Sequence, residues 1–203
     1  MTAGNREYSL AAILLAAGPS SRLGHPKQLV RFEGETLVRR SARLLADVVD
    51  GPVVVVCGCE SERVSEQVAD LPVQTVTSPD WELGMGGSIS FGARFVPRFS
   101  DGILVAVCDQ WLLSRDDLDR LLTAWRSARQ RIHAACWSEG AAHVSGPPVI
   151  FPGRLHGELK GLEKSRGARQ VIDRHIDSVD FIEMESASCD LDRPEDLSRL
   201  LGE

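Results

Sequence analysis

Three short segments of this 203-residue chain hold side chains whose types and spacing suit phosphate and divalent-cation chemistry. The first is Leu15-Ala16-Ala17-Gly18-Pro19-Ser20-Ser21-Arg22-Leu23-Gly24-His25-Pro26-Lys27. Its small residues let the backbone approach a ligand closely. N–H groups in such a loop can cradle phosphate oxygens, and Arg22 and Lys27 add two positive charges suited to a polyphosphate. Neither the GxxxxGK(S/T) loop nor the GxGxxG dinucleotide fingerprint is present. Taken alone, the segment reads equally well as a plain strand-to-loop connection. The second segment runs from Ser78 through Gly84, Gly87 and Ser88 to Gly92; it is Gly-rich and then turns helical. A helix N-terminus offers free N–H groups and a partial positive charge, and Ser88 is either a ligand contact or the cap of that helix. The third feature is a set of carboxylates. Asp109 directly follows an apolar run, and Asp190 and Asp192 alternate on one side of an extended stretch. Mg²⁺ takes one or two carboxylates together with substrate phosphates. The alternative for Asp109 is a cap on the turn before Ser114, and Asp192 can equally cap the last helix. Glu195 and Asp196 fall in that helix's first turn, where negative charge suits the dipole.

The elements that must hold these residues alternate along the chain. Short, mostly continuous apolar runs predict strands at 10–16, 53–57, 73–76, 103–108, 132–137, 149–151 and 179–183. Helices are expected at 36–49, 60–69, 87–95, 114–130, 153–162, 167–174 and 194–201, with a hairpin around Phe32-Glu33-Gly34-Glu35. Ser114 and Asp117 have capping-box spacing with Asp for Glu, and Pro194 suits the first position of the last helix. Such alternation implies βαβ units: a single-domain α/β chain over 1–203, a Rossmann-like three-layer sandwich with a mostly parallel mixed sheet. Ligands of such sheets bind beyond the carboxyl ends of the strands, near the switch in strand order. All three segments follow strands or open helices at that edge.

The run Leu15-Ala16-Ala17-Gly18-x-Ser20-Ser21-Arg22-Leu23-Gly24-x-Pro26-Lys27-Gln28-Leu29 resembles the signature of the sugar-nucleotide-type nucleotidyltransferases. Within them it is most similar to the molybdenum cofactor cytidylyltransferase group. The resemblance implies a triphosphate loop formed by Leu15, Ala16, Ala17, Gly18, Ser20 and Ser21, with Arg22 and Lys27 on phosphate oxygens. Gly84-Met85, Gly87 and Ser88 resemble the family's base-recognition motif, which implies nucleotide contacts at Gly84, Gly87 and Ser88. Cys108-Asp109-Gln110 resembles its metal motif, with Trp111 in place of the usual Pro. Asp190-Leu191-Asp192-Arg193-Pro194-Glu195-Asp196 resembles its closing motif, with Arg193 in place of Thr. By that resemblance Asp109 and Asp192 bind Mg²⁺, Asp190 is a further candidate, and Lys27, Arg22 and Asp109 carry the catalysis. Gly146, Pro148 and Arg169 match segments that line the pterin-side pocket. Lys164-Ser165 stands where the family usually has Gly-Asp, so a carboxylate is replaced and positive charge is added. His143 and His156 fall near these segments, though a lone His is more often structural or exposed.

The reaction so implied is attack by a terminal phosphate of a molybdopterin-type cofactor on the α-phosphorus of CTP, with pyrophosphate leaving. Ala17 stands where guanylyltransferases of the family tend to have Gly, and its methyl would crowd a purine. A related enzyme using GTP or another phosphorylated acceptor is one alternative; a non-catalytic nucleotide- or cofactor-binding protein is the other. The expected partners are CTP or another NTP, a phosphorylated pterin-type acceptor, and a molybdoenzyme or chaperone that receives the product. The net charge of −6 argues against general nucleic-acid binding. No apolar run approaches the roughly 20 residues that span a bilayer, and the first nine residues lack a signal-like apolar region, so a cytoplasmic location is the default. The five cysteines form no CxxC pair and are expected to be reduced thiols.

Overall fold

A computed structural model describes residues 9–140, 142–163 and 167–201; Lys164 and Ser165 lie outside the described residues. The strands are β1 (Leu10–Ala16), β2 (Arg31–Phe32), β3 (Glu35–Thr36), β4 (Val53–Cys57), β5 (Val73–Thr77), β6 (Gly102–Val107), β7 (Ile132–Glu139), β8 (Ala142–Pro152) and β9 (Val179–Glu183). The helices are α1 (Leu37–Val48), α2 (Ser61–Gln67), α3 (Met85–Gly92), α4 (Arg115–Ser127), α5 (His156–Lys160), α6 (Arg169–Arg174) and α7 (Pro194–Leu201). Strands β2 and β3 form the expected small hairpin. The other seven make one sheet in the order β5-β4-β1-β6-β8-β7-β9. Only β8 runs against its neighbours.

The apolar runs are continuous because both faces of the sheet are covered. In β1 all seven residues are buried. Leu10, Ala12, Leu14 and Ala16 share one cluster with Val38, Leu45, Leu118 and Trp125 of α1 and α4. Ala11, Ile13 and Leu15 face the other way, onto Ile89 of α3, Leu159 of α5 and Val171 of α6. The period of two, hidden in an all-apolar run, therefore sorts side chains into two cores. Helix α4 starts at the predicted capping box: Asp117 N–H donates to Ser114 Oγ at 3.2 Å, and Ser114 N–H to Asp117 Oδ2 at 3.0 Å.

Helix α3 begins and ends earlier than the expected 87–95 and several other ends shift by one to three residues; two larger differences have clear physical reasons. Strand β8 is much longer than 149–151. Its register against β7 jumps between Ala134↔Val149 and Ala135↔Gly146, so Pro147 and Pro148 are the residues skipped. Prolines have no N–H for the ladder; here they sit in the irregularity and the strand resumes beyond them. Over 153–162, a 3₁₀ turn at Gly153–Leu155 takes the first residues, and α5 is only a short piece.

From β1 the chain steps to β4 and β5 on one side, then crosses to β6 on the other. The carboxyl ends of β1 and β6 thus flank the switch in strand order, where open α/β sheets bind ligands.

Candidate active site

The loop leaving β1 is built from two left-handed turns. Ser20 has φ +52° and Gly24 φ +80°. The N–H groups of Leu23 and Gly24 both donate to Ser20 O at 3.1 Å. Ser20 Oγ accepts from Lys27 N–H at 2.9 Å. This closes the loop and starts a 3₁₀ turn, Lys27–Leu29.

Lys27 reaches across the switch point to β6. Its Nζ donates to Asp109 Oδ2 and, at 2.8 Å, to Asp192 Oδ1. Asp192 arrives there because the chain around it pairs with the end of β6. Gln110 and Asp190 form an antiparallel bridge, and Leu191 N–H donates to Asp109 O at 3.1 Å. Gln110 is buried and donates through Nε2 to Pro147 O at 2.8 Å and Ala187 O at 2.7 Å. It thereby ties β8 and the turn before Asp190 to the carboxylate edge. Arg22 approaches Asp192 Oδ2 at 3.4 Å from solvent. Asp196 accepts from the N–H groups of Asp192 and Arg193 at 3.1 and 2.9 Å. The backbone at α7 is thus capped by Asp196, and the Asp192 side chain turns to Lys27 instead.

The electrostatics follow from this packing. Burial works to lower the Lys27 ammonium, but Asp109 and Asp192 overcome it and hold its pKa above the ordinary value. The hydrogen bond from Lys27 keeps Asp192 below the usual carboxylate range against the cost of burial. Asp190 is an exposed residue, yet its carboxyl is shifted upward, by desolvation among neighbouring atoms first and then by the like charges of Asp109 and Asp192. Asp109 Oδ1 is buried without a partner. Two carboxylates already converge on one cation, and one has a spare buried oxygen. This donor set fits Mg²⁺ held by two carboxylates plus substrate phosphates and water. Among the described residues no three His, Cys, Asp or Glu side chains gather into an all-protein metal site.

A cavity of about 540 Å³ opens between the β1 loop and the start of α3, a size in the range of small-molecule sites. Leu15, Ala16, Ala17, Gly18, Lys27, Gly84, Ser88 and Asp109 line it. Ser20, Ser21, Arg22 and Asp192 are not among its lining residues. Gly87 is on the other flank of α3, beside a separate cleft with Ser90 and Arg94. Sequence reasoning did not single out Gln28, Trp81 and Glu82, which also line the cavity. Trp81 stands against Gly58, where any Cβ would lie 2.6 Å from the Trp81 side chain and 2.7 Å from Ala17 O. Gly58 directly follows β4 at the carboxyl edge, which was the available signal. The acceptor residues Gly146, Pro148 and Arg169 do not line the cavity. Gly146 lies under the Trp137 ring, and Arg169 donates to Ser145 Oγ at 3.1 Å, joining α6 to β8. Gly167 packs close to Met85, which lines the cavity, so the segment leading into α6 borders the site. His156 is buried with Nε2 2.6 Å from Ala93 O, a structural role. His143 is exposed on β8, and all five cysteines are free thiols.

The MobA-like NTP transferase domain family matches residues 12–179. A nicotine blue oxidoreductase of Paenarthrobacter nicotinovorans is 32% identical over 197 residues, covering 95% of this chain and 96% of the relative. A probable molybdenum cofactor guanylyltransferase of Synechococcus elongatus is 34% identical over 133 residues, 63% of this chain and 62% of the relative. In structure, Rv0371c of Mycobacterium tuberculosis H37Rv superposes with a TM-score of 0.80 at 24% identity, covering 97% and 98% of the two chains. A nucleotidyl transferase of Methanothermobacter thermautotroptrophicus does so with 0.77 at 20% identity, covering 96% of each. These structures share the fold. The family match spans well over half the sequence, and the chain belongs to the MobA-like NTP transferases as a nucleotidyltransferase.

Proposed function

We propose that this protein moves a nucleoside monophosphate from a nucleoside triphosphate, CTP in our reading, to the phosphate of a molybdopterin-type acceptor, releasing pyrophosphate. One observation carries this: Lys27, Asp109 and Asp192 meet at the sheet's switch point beside a nucleotide-sized cavity. Asp109 and Asp192 would hold Mg²⁺, which supplies charge neutralisation on phosphate oxygens. Lys27 and Arg22 provide the protein's own positive charge against the α-phosphate and the departing pyrophosphate. The β1 loop, Gly84 and Ser88 bind the nucleotide, while Gly87, on the other flank of α3, shapes the start of that helix; Gly146, Pro148 and Arg169 serve the acceptor side. An acceptor phosphate is already ionised, so no general base is required. Catalysis is then positioning and charge stabilisation.

The preference for CTP rests on the Ala17 methyl, which lines the cavity. Relatives named as guanylyltransferases make GTP the competing substrate. Oxidoreductase activity is a second reading, because a relative matched over 96% of its length is named an oxidoreductase; the missing GxGxxG fingerprint speaks against a dinucleotide cofactor. The reaction belongs in the cytoplasm, and handover to a molybdoenzyme would show as co-purification of that client with the loaded protein. The decisive assay is pyrophosphate release with each NTP and a phosphorylated pterin acceptor, beside NADH and NADPH oxidation. Metal-dependent turnover with CTP, lost in Asp109→Ala, is the expected result. Faster turnover with GTP replaces the base assignment; turnover only with a nicotinamide cofactor overturns the reading.

A further inference from the structure

One buried side chain beside the β1 loop is not used by the proposed chemistry. Gln28 is 1% exposed. Its Nε2 donates to Ala16 O at 3.1 Å and to Gly18 O at 2.6 Å. Its Oε1 accepts from Ser20 Oγ at 3.5 Å, and Ser20 in turn receives the Lys27 N–H. The carbonyl between those two, Ala17 O, accepts from Cys59 N–H at 3.2 Å. Three successive carbonyls are therefore tied to fixed donors.

A trans peptide is planar, with its C=O and the following N–H pointing in opposite directions. Anchoring a carbonyl thus aims the next residue's N–H. Gln28 fixes the first peptide, which carries the Ala17 N–H; Cys59 fixes the second, which carries the Gly18 N–H and lies between the two that Gln28 holds. The third leads into Pro19, which has none. Among the described residues, neither the Ala17 nor the Gly18 N–H has a hydrogen-bond partner, and both residues line the cavity. Two fixed donors without a partner, on residues that line the cavity, are what an anion site requires.

We propose that Gln28 is a positioning residue whose carboxamide sets this loop so that the Ala17 and Gly18 N–H groups meet triphosphate oxygens. The inference rests on the nucleotide reading above and deepens it. A primary amide is the group the place requires: two donors for two carbonyls and one acceptor for a hydroxyl, on a single planar head. A carboxylate would set oxygen against oxygen, and an aliphatic chain would release all three partners.

The test is a ¹H–¹⁵N amide NMR titration of the whole protein with inorganic tripolyphosphate, paired with calorimetry. In the wild type the Ala17 and Gly18 amide protons should move downfield on binding. In Gln28→Leu the Ala17 movement should vanish and the Gly18 movement, its peptide still held by Cys59, should shrink; affinity should fall by about tenfold, as expected for loss of a charge-assisted hydrogen bond. Arg22→Gln should weaken binding while leaving those two amide shifts at saturation as in the wild type; a merely structural role for Gln28 would not separate the two variants. Stationary Ala17 and Gly18 amides in a wild type that binds tripolyphosphate overturn the inference, as does equal binding by Gln28→Leu; the nucleotide reading survives either result. If Gln28→Leu does not fold, the wild-type amide shifts decide. A wild type that binds neither tripolyphosphate nor any NTP sinks both.

Discussion

Lys27 occupies the position of a cation between two carboxylates that have little else to neutralise them. Its side chain is 17% exposed and that of Asp109 13%, so this pair is largely shielded from water, while Asp192 is 45% exposed. Removing the ammonium leaves Asp109 and Asp192 facing each other, with Asp190 near. Lys27→Met should therefore lower stability by about 3 kcal/mol, the lower end for breaking a buried pair because Asp192 retains solvent. The Lys27→Met/Asp109→Asn double variant should recover part of that loss, since one of the opposed charges is gone. Urea unfolding of the wild type, Lys27→Met, Asp109→Asn and the double variant at neutral pH checks it; a double variant as unstable as the sum of the singles would show that the charges do not interact. Lys27, Asp109 and Asp192 were legible in the sequence because each belongs to a segment with phosphate- or metal-type chemistry at an element boundary. Gln28 was not. Its importance lies in carbonyls of Ala16 and Gly18, and only the curl of the loop at Ser20 and Gly24 brings those to its amide.

At the scale of elements, Asp117 links the start of α4 to the turn that precedes the second carboxylate cluster. It completes the capping box with Ser114, accepts from Ser186 Oγ at 2.7 Å, and pairs with Arg120 at 2.7 Å. Burial works to raise its carboxyl, but the bonds from Ser114, Ser186 and Arg120 outweigh it and hold it below the ordinary value of 3.8. The folded state thus takes up this proton less readily than the unfolded chain. The stabilisation is full above the unfolded pKa and is lost as pH falls through the depressed folded one. Asp117→Asn should cost about 1–2 kcal/mol at pH 7, and the gap to the wild type should narrow below about pH 4. Unfolding curves at several pH values test this; a gap independent of pH would mean the charge is immaterial. Gly58 makes the second case. A methyl there meets the Trp81 side chain and the backbone oxygen Ala17 O. The oxygen belongs to the main chain, so the β1 loop itself must shift. Gly58→Ala should raise the KM for the NTP more than it lowers kcat, and unchanged kinetics would show that loop and Trp81 yield without consequence. The cap on α4 was readable because its two residues are three apart in one helix. The length of β8 was not, because Gly146-Pro147-Pro148 reads locally as a turn and is accommodated only by pairing with β7.

For the whole molecule, class and layers were legible, since continuous apolar strands alternating with helices admit few architectures. Strand order was not: nothing local says that β6 crosses to the far side of β1 or that β8 inserts antiparallel beside it. That order matters functionally, because it joins residues from the whole length of the chain. The β1 loop, the start of α3, the end of β6 and the segment before α7 all converge at one edge. No helix among the described residues is long and apolar enough to cross a membrane. A ligand that bridges segments so far apart in sequence should stabilise the entire fold, because its contacts vanish together on unfolding. At a hundredfold excess over Kd, mass action contributes about 2.7 kcal/mol. For a domain of this size each kcal/mol raises Tm by about 2–4 °C, so CTP with Mg²⁺ should raise it by about 5–10 °C. Asp109→Asn should lose the metal-dependent part of that rise, while Asp117→Asn, outside the cavity, should keep all of it from a lower starting Tm. Differential scanning calorimetry with CTP, GTP and ATP, each with Mg²⁺ and with EDTA, ranks the bases by the same quantity. A rise that is equal for all three bases would move selectivity away from Ala17 and Ser88, and a rise untouched by EDTA would remove the metal from nucleotide binding.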